Sequence, residues 1–239
     1  MTADQVLNAP SARRHLMKIN SDRHKTVLVQ TSERGWCKSP RVGVERIPLE
    51  RMFPESGPVT SLVKYESGSR FSAHTHPLGE EILVLEGVFE DENGRYPAGS
   101  YLRNPPGSKH RPFSRTGCML LVKLNWFNES DQRQLNLPNV LNIELEQVHE
   151  RVLHQFESER TSLVLIPKGQ TWVNNETQNG NELFIIKGHV SSVTRNLVAG
   201  AWLREVEGKS FEFKAIEDTV IYRKTGHIKL TEECRYAVA

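Results

Sequence analysis

Gly68-Ser-Arg-Phe-Ser-Ala-His74-Thr-His76-Pro-Leu-Gly-Glu80-Glu-Ile-Leu-Val-Leu-Glu-Gly87 is the stretch from which the rest of the chain can be read. Two histidines two residues apart on an extended segment project to the same side, because side chains alternate along a strand. Pro77, Leu78 and Gly79 then carry turn chemistry, so Glu80 opens the next strand with its carboxylate swung back towards the two imidazoles. A second stretch, Gly99-Ser-Tyr-Leu-Arg-Asn-Pro105-Pro-Gly107-Ser-Lys-His110, supplies a strand, a Pro/Gly turn and a third histidine. His74, His76, Glu80 and His110 thus form a ligand set suited to one divalent transition metal, with coordination positions left open. A lone His pair on a polar strand would be read as two surface side chains. Four ligand-type residues separated by turn glycines point to a metal instead.

The spacing carries a resemblance. Glycine, five residues, His-x-His, three residues, Glu, six residues and glycine resembles the first cupin motif, and Gly99-x5-Pro105-x-Gly107-x2-His110 resembles the second. One position departs: the asparagine that often follows the last histidine by four residues is Ser114 here, at a place that is not a usual metal ligand. Trp36, Ser39-Pro-Arg-Val-Gly-Val-Glu-Arg-Ile-Pro-Leu, the run from Glu80 to His110, and Gly117-Cys118 narrow the resemblance to the ChrR-type cupins. It is close over about residues 30 to 127 and degenerate over 148 to 225. The resemblance implies an all-β fold of two tandem cupin barrels (double-stranded β-helix, jelly roll). Zinc or iron is the expected metal, with manganese or nickel as further choices.

Length and composition fit that reading. A chain of 239 residues has room for one large or two small domains. Net charge of +2, from 31 basic and 29 acidic residues, gives no broad field for nucleic acid or an anionic membrane, so a small-molecule or protein partner is expected. Cys37, Cys118 and Cys234 are odd in number and form no C-x-x-C pair, which argues against a disulfide framework or a thiolate zinc site. Each is expected to be a small buried hydrophobe. No window approaches the ~18 apolar residues of a membrane span and no signal peptide is evident, so a cytoplasmic protein is expected.

Residues 1–30 read as an N-terminal tail and 31–128 as the metal-binding domain. Val27-Leu-Val-Gln, the run from Val42, Val59 to Tyr65 and Cys118 to Phe127 are β-rich and broken by Gly, Pro and Ser. Asn93-Gly94 marks a hairpin. The polar, proline-containing 129–145 reads as a linker, and 146–239 as a second domain. Thr60-Ser-Leu-Val63 recurs as Thr161-Ser-Leu-Val164, Gly87 as Gly188, Gly99 as Gly200 and Leu102-Arg103 as Leu203-Arg204, all at an offset of 101 residues. A fixed offset without gaps indicates a duplicated domain. At the same offset His74, His76, Glu80 and His110 fall on Asn175, Thr177, Asn181 and Phe211, so the second copy is expected to lack metal, with Phe211 plugging the space. Asn175, Thr177 and Asn181 are also candidates to line an organic-ligand cavity there.

Two functions follow from the resemblance. ChrR-type domains occur in small dioxygenases acting on diketones and aromatic ketones, and as the C-terminal half of anti-sigma factors, whose N-terminal helical zinc domain is not evident in residues 1–30. The expectation is therefore a mononuclear metal dioxygenase for a small chelating diketone or hydroxyketone. The alternative is a regulatory protein that uses the metal site as a sensor and holds a sigma factor. A homodimer is a further expectation. No catalytic group beyond the metal ligands stands out. Arg70 and Ser72 share the parity of His74 and are expected at the cavity or its rim, and the recurrence of Glu81 as Glu182 suggests a structural role.

Overall fold

The computed structural model describes residues 18–53, 57–144, 146–175, 178, 180–206 and 208–228. Among the described residues there is no α-helix, and the one helical element is a 3-10 turn at Thr31–Glu33. The β-branched and aromatic runs form the strands Val27–Gln30, Val44–Arg51, Val59–Tyr65 and Cys118–Leu124, as their propensity and alternation require. The chain divides into two compact units. One holds Gly35–Asn142 with the segment ending at Ser21, and the other holds Asp22–Arg34 with the chain from Ile143 onward.

The main sheet of the first unit runs Leu135–Leu137, Tyr101–Asn104, Glu80–Asp91, Cys118–Leu124, Val59–Tyr65, Val44–Arg51, Cys37–Lys38, with antiparallel neighbours throughout. One face packs Val44, Val63, Ile82, Val84, Leu120 and Val122 with Phe89 and Tyr96. Each such burial stabilises by about 1.5–3 kcal/mol. The opposite face buries polar groups in pairs: Arg103 Nη1 donates to Glu81 Oε2 at 3.2 Å and Nη2 to Asp131 Oδ2 at 2.5 Å, beneath the Phe127 ring at 3.8 Å. Glu81 therefore is a structural residue, and Cys37 and Cys118 are buried thiols.

In the second unit a six-stranded sheet runs Val27–Gln30, Ala201–Glu205, Asn181–Lys187, Thr219–Thr225, Glu159–Ile166, His149–Phe156. A four-stranded one runs Thr171–Asn174, Phe211–Ala215, His189–Ser191, Asn196–Val198. Val164, Ile166, Leu183, Ile185, Phe213 and Ile221 fill its core. Contacts as well as letters recur at the offset of 101. Lys123 Nζ donates to Thr60 Oγ1 at 2.8 Å, and Lys224 Nζ to Thr161 Oγ1 at 3.1 Å. Gly87 and Gly188 recur for a steric reason. Both have positive φ, and an added Cβ would stand 2.1 Å from Gly117 O in one and 2.4 Å from Asp218 O in the other.

Two boundaries differ from the sequence reading. Val27–Gln30, assigned to a tail, is a strand hydrogen-bonded to Ala201–Arg204 of the second unit. The assigned linker is partly built into the first unit, because Leu135–Leu137 pairs with Tyr101–Arg103. The two segments answer the same need, since each covers an edge that would otherwise expose a row of unpaired backbone groups. Cys234 and Thr177 lie outside the described residues.

Candidate metal centre

The short strand His74–Thr75 pairs with Lys109–His110 in a two-stranded sheet that sets His74 directly opposite His110. His76 follows, braced by His76 N to Ser108 O at 2.9 Å and Gly107 N to His76 O at 2.8 Å. The Pro77–Gly79 turn returns the chain into Glu80–Asp91, which places the Glu80 carboxylate 3.4 Å from His76 Nε2 and 3.3 Å from His110 Nε2. The three imidazole centroids stand 4.8 to 5.2 Å apart. One ligand atom from each of His74, His76, Glu80 and His110 lies within 4.8 Å of every other, and this is the one such cluster among the described residues.

Buried polar atoms are nearly always bonded. Yet His76 Nε2 and His110 Nε2, on side chains 3% and 4% exposed, lack a hydrogen-bond partner of good geometry. Convergent, desolvated lone pairs of this kind fit a divalent cation, and three imidazoles with one carboxylate fit a first-row transition metal.

A surrounding layer fixes each ligand. His110 Nδ1 donates to Asp91 Oδ2 at 3.2 Å, and His74 Nδ1 faces Ser72 O at 3.0 Å, arrangements that leave Nε2 of both rings for the centre. Asn104 Nδ2 donates to Glu80 Oε2 at 3.0 Å. Asp91 is itself positioned by the hairpin turn, its Oδ1 accepting from Asn93 N, Gly94 N and Tyr96 Oη. Burial works against the Asp91 charge, but the bonds from His110, Asn93 and Tyr96 outweigh it and hold its carboxyl below the usual range. Burial likewise pushes the His76 imidazole down, whereas at His110 Asp91 and Glu80 overcome the burial and raise it.

Beside Glu80 lies a cavity of about 240 Å³, lined also by Arg46, Arg51, Ser61, Val63, Tyr65, Val122, Leu124 and Asn125. Neither arginine was singled out from the sequence, and the reason is a bulge. Arg46 pairs with Val63 and Arg51 with Val59, but the register shifts between Pro48 and Glu50, so residues of opposite sequence parity reach the same face. Burial, and after it the Glu80 charge, push the Tyr65 phenol up, which keeps its proton on Oη. Arg70, the arginine the sequence did suggest, is exposed and stacks over Phe113. Ser72 is exposed too and accepts from Arg41 Nη2 at 2.8 Å.

The corresponding place in the second unit is filled differently. Phe211 stands opposite Asn174, not Asn175, so the metal strand has slipped by one residue against the 101 offset. Asn175 is exposed and is not among the residues that line the cavity beside Phe211. Phe211 packs on Trp172 and Phe213 at 5.6 and 5.2 Å between centroids. Arg223 Nη2 bonds to Asn174 Oδ1 and reaches Asn181 Oδ1 at 3.3 Å, while its Nη1 pairs with Glu150 at 3.0 Å. A guanidinium thus bonds to Asn174, Asn181 and Glu150 in this interior.

Residues 24–128 match the family model described as the ChrR cupin-like domain. No curated protein matches the sequence. Among solved structures, the bacterial pirin YhhW from Escherichia coli in complex with nickel(II) superposes with a TM-score of 0.66 at 15% identity, over 84% of this chain and 98% of its own. A candidate dioxygenase from Nostoc punctiforme PCC 73102 gives 0.68 at 14% identity, over 93% and 89%. A variant of oxalate decarboxylase from Bacillus subtilis gives 0.58 at 12%, over 90% and 79%. At these identities the likeness is one of fold. Among the described residues no helix is long and apolar enough to cross a membrane. Over residues 24–128 this chain is thus similar to the ChrR cupin-like domain.

Proposed function

We propose that the first unit is a mononuclear metal dioxygenase acting on a small chelating diketone or hydroxyketone. The observation that carries this reading is the convergence of His74, His76, Glu80 and His110 within 4.8 Å, two of their nitrogens buried without a hydrogen bond, beside a cavity that shares Glu80 as a wall. A divalent transition metal held there supplies Lewis acidity to a pair of substrate oxygens and, as iron, electrons to O2.

The chain's own residues have separate tasks. Asp91 and Ser72 keep the protons of His110 and His74 on Nδ1, so that Nε2 presents a lone pair. Asn104 holds Glu80 in place. Val63, Val122 and Leu124 give the cavity apolar walls that exclude bulk water from the reacting region, and Tyr65 keeps a phenolic proton beside it.

The test is oxygen uptake by iron-reconstituted protein with pentane-2,4-dione and with an aromatic hydroxyketone. Turnover that is lost in Glu80→Ala and His110→Ala supports the reading. No turnover with either substrate, together with stoichiometric recovery of a sigma factor from cell lysate, overturns it in favour of a regulatory role.

A further inference from the structure

We infer that Tyr65 selects the ligand of this site: its phenol donates a hydrogen bond to an oxygen of the chelating molecule, and so favours one that presents a negatively charged oxygen there. The inference rests on the proposal above that the four residues hold a metal and that a small chelating ketone binds beside it. It adds the residue that recognises that ligand.

Three observations carry it. First, Tyr65 lies on the wall of the cavity that also holds Glu80, on a strand face shared with Ser61 and Val63. The residue is buried, yet among the described residues its hydroxyl has no hydrogen-bond partner, where a buried tyrosine hydroxyl usually finds one. Second, the ring is pinned beside the ligand set. Phe71 and Phe89 flank it, each with its centroid at 6.1 Å, and these two rings stand against His74 at 5.6 Å and His110 at 6.1 Å. Burial and the Glu80 charge keep the proton on Oη, so the group has a hydrogen to donate. Third, position 65 follows the metal ligands and not the fold. The pairing of Tyr65 with Cys118 recurs at the 101 offset as Ile166 with Thr219, so the unit without the ligand set carries an isoleucine there, fully buried in its core. Ser61, on the same wall, behaves differently: it recurs as Ser162, whose hydroxyl donates to Glu150 at 2.6 Å.

The chemistry follows from these placements. The fold accepts a hydrocarbon at this position, so packing does not require the hydroxyl. A phenol set among Val63, Val122 and Leu124 carries a desolvation cost until an acceptor arrives. A 1,3-dicarbonyl that chelates as its enolate brings that acceptor, because it spreads one negative charge over two oxygens. Its C–H proton passes to solvent, and the proton of Tyr65 stays on Oη. Hydrogen bonds to charged acceptors are roughly twice as strong as neutral ones, so the phenol discriminates in favour of the anion. At about 240 Å³ the cavity is below the ~300–1,000 Å³ usual for drug-sized ligands, which fits a short-chain dicarbonyl.

Pentane-2,4-dione and imidazole test this, because both coordinate a metal and only the first keeps an oxygen that can accept from Tyr65. Imidazole bound through one nitrogen carries a proton on the other. The full chain is loaded with cobalt(II), whose visible spectrum reports ligands entering the coordination sphere, and titrated with each probe. Tyr65→Phe removes the hydroxyl and keeps the ring. It should weaken pentane-2,4-dione about tenfold or more and leave imidazole within about twofold, with cobalt content equal to that of the unaltered protein. Tyr65→Ile, which copies the packing of the second unit, should separate the two probes in the same way and serves if the Phe variant does not fold. A variant that binds both probes as the unaltered protein does, or weakens both equally, overturns the inference and leaves the metal reading standing. A cobalt form that answers to imidazole and not to pentane-2,4-dione overturns the diketone reading, and failure to bind cobalt overturns the metal reading; the inference falls with either.

Discussion

Replacing Asp91 by asparagine tests how the centre is held, because the carboxylate serves two clients on opposite oxygens. Oδ1 accepts from Asn93 N at 2.8 Å, Gly94 N at 3.1 Å and Tyr96 Oη at 3.0 Å, while Oδ2 accepts from His110 Nδ1 at 3.2 Å. An amide has only one acceptor oxygen. If that oxygen stays with the turn, the NH2 faces His110 Nδ1 and forces the proton onto Nε2, the atom a metal needs. If the amide turns over, three donors of the hairpin face an NH2 group, at about 1–3 kcal/mol for the worst-placed buried donor. The first outcome should cost about 10–100-fold in metal affinity, the range for losing a partner of a ligating histidine, or about 1.4–2.7 kcal/mol. Competition titration against a chromophoric chelator measures the affinity, and thermal unfolding of the metal-free protein detects the second outcome. Metal affinity within about twofold of the unaltered protein, with unchanged unfolding, would refute the reasoning.

Further predictions concern the fold and the second unit. Gly87→Ala should destabilise by at least about 2 kcal/mol, because a Cβ would meet the Gly117 carbonyl at 2.1 Å on top of the left-handed backbone. Gly68→Ala, with similar φ and nothing within 4 Å, should cost about 1–2 kcal/mol; equal midpoints in thermal denaturation for the two variants would contradict this. Phe211→His restores a histidine to the second unit but should bind no additional metal by elemental analysis, since Asn174 and Asn181 are engaged by Arg223. A second equivalent of metal in that variant would show the site to be latent.

The convergence of the four candidate ligands was legible in the sequence because two constraints act on few residues. Alternation along a strand fixes His74 and His76 to one side, and turn glycines fix the distance to Glu80 and His110. The strands were legible because their apolar runs end at Gly, Pro and Ser. What escaped was set by register. The bulge at Leu49 turns Arg51 onto the face of Arg46, and no local pattern announces it. A one-residue slip puts Asn174 where the fixed offset puts Asn175. Val27–Gln30 was recognised as β-rich, but which edge it joins is a long-range choice among exposed strands. Asp91 was hidden in an acidic run, Glu90-Asp91-Glu92, where only the hairpin geometry distinguishes the residue that reaches His110.

The central claim, one metal per chain on His74, His76, Glu80 and His110, is tested most directly by elemental analysis joined to X-ray absorption on protein purified without chelators and reconstituted with one metal. The account predicts one tightly held equivalent, an absorption fine structure dominated by three imidazoles with a carboxylate oxygen, and loss of the metal in the double variant His76→Ala, His110→Ala. Two equivalents per chain, or one that survives the double substitution, would contradict it.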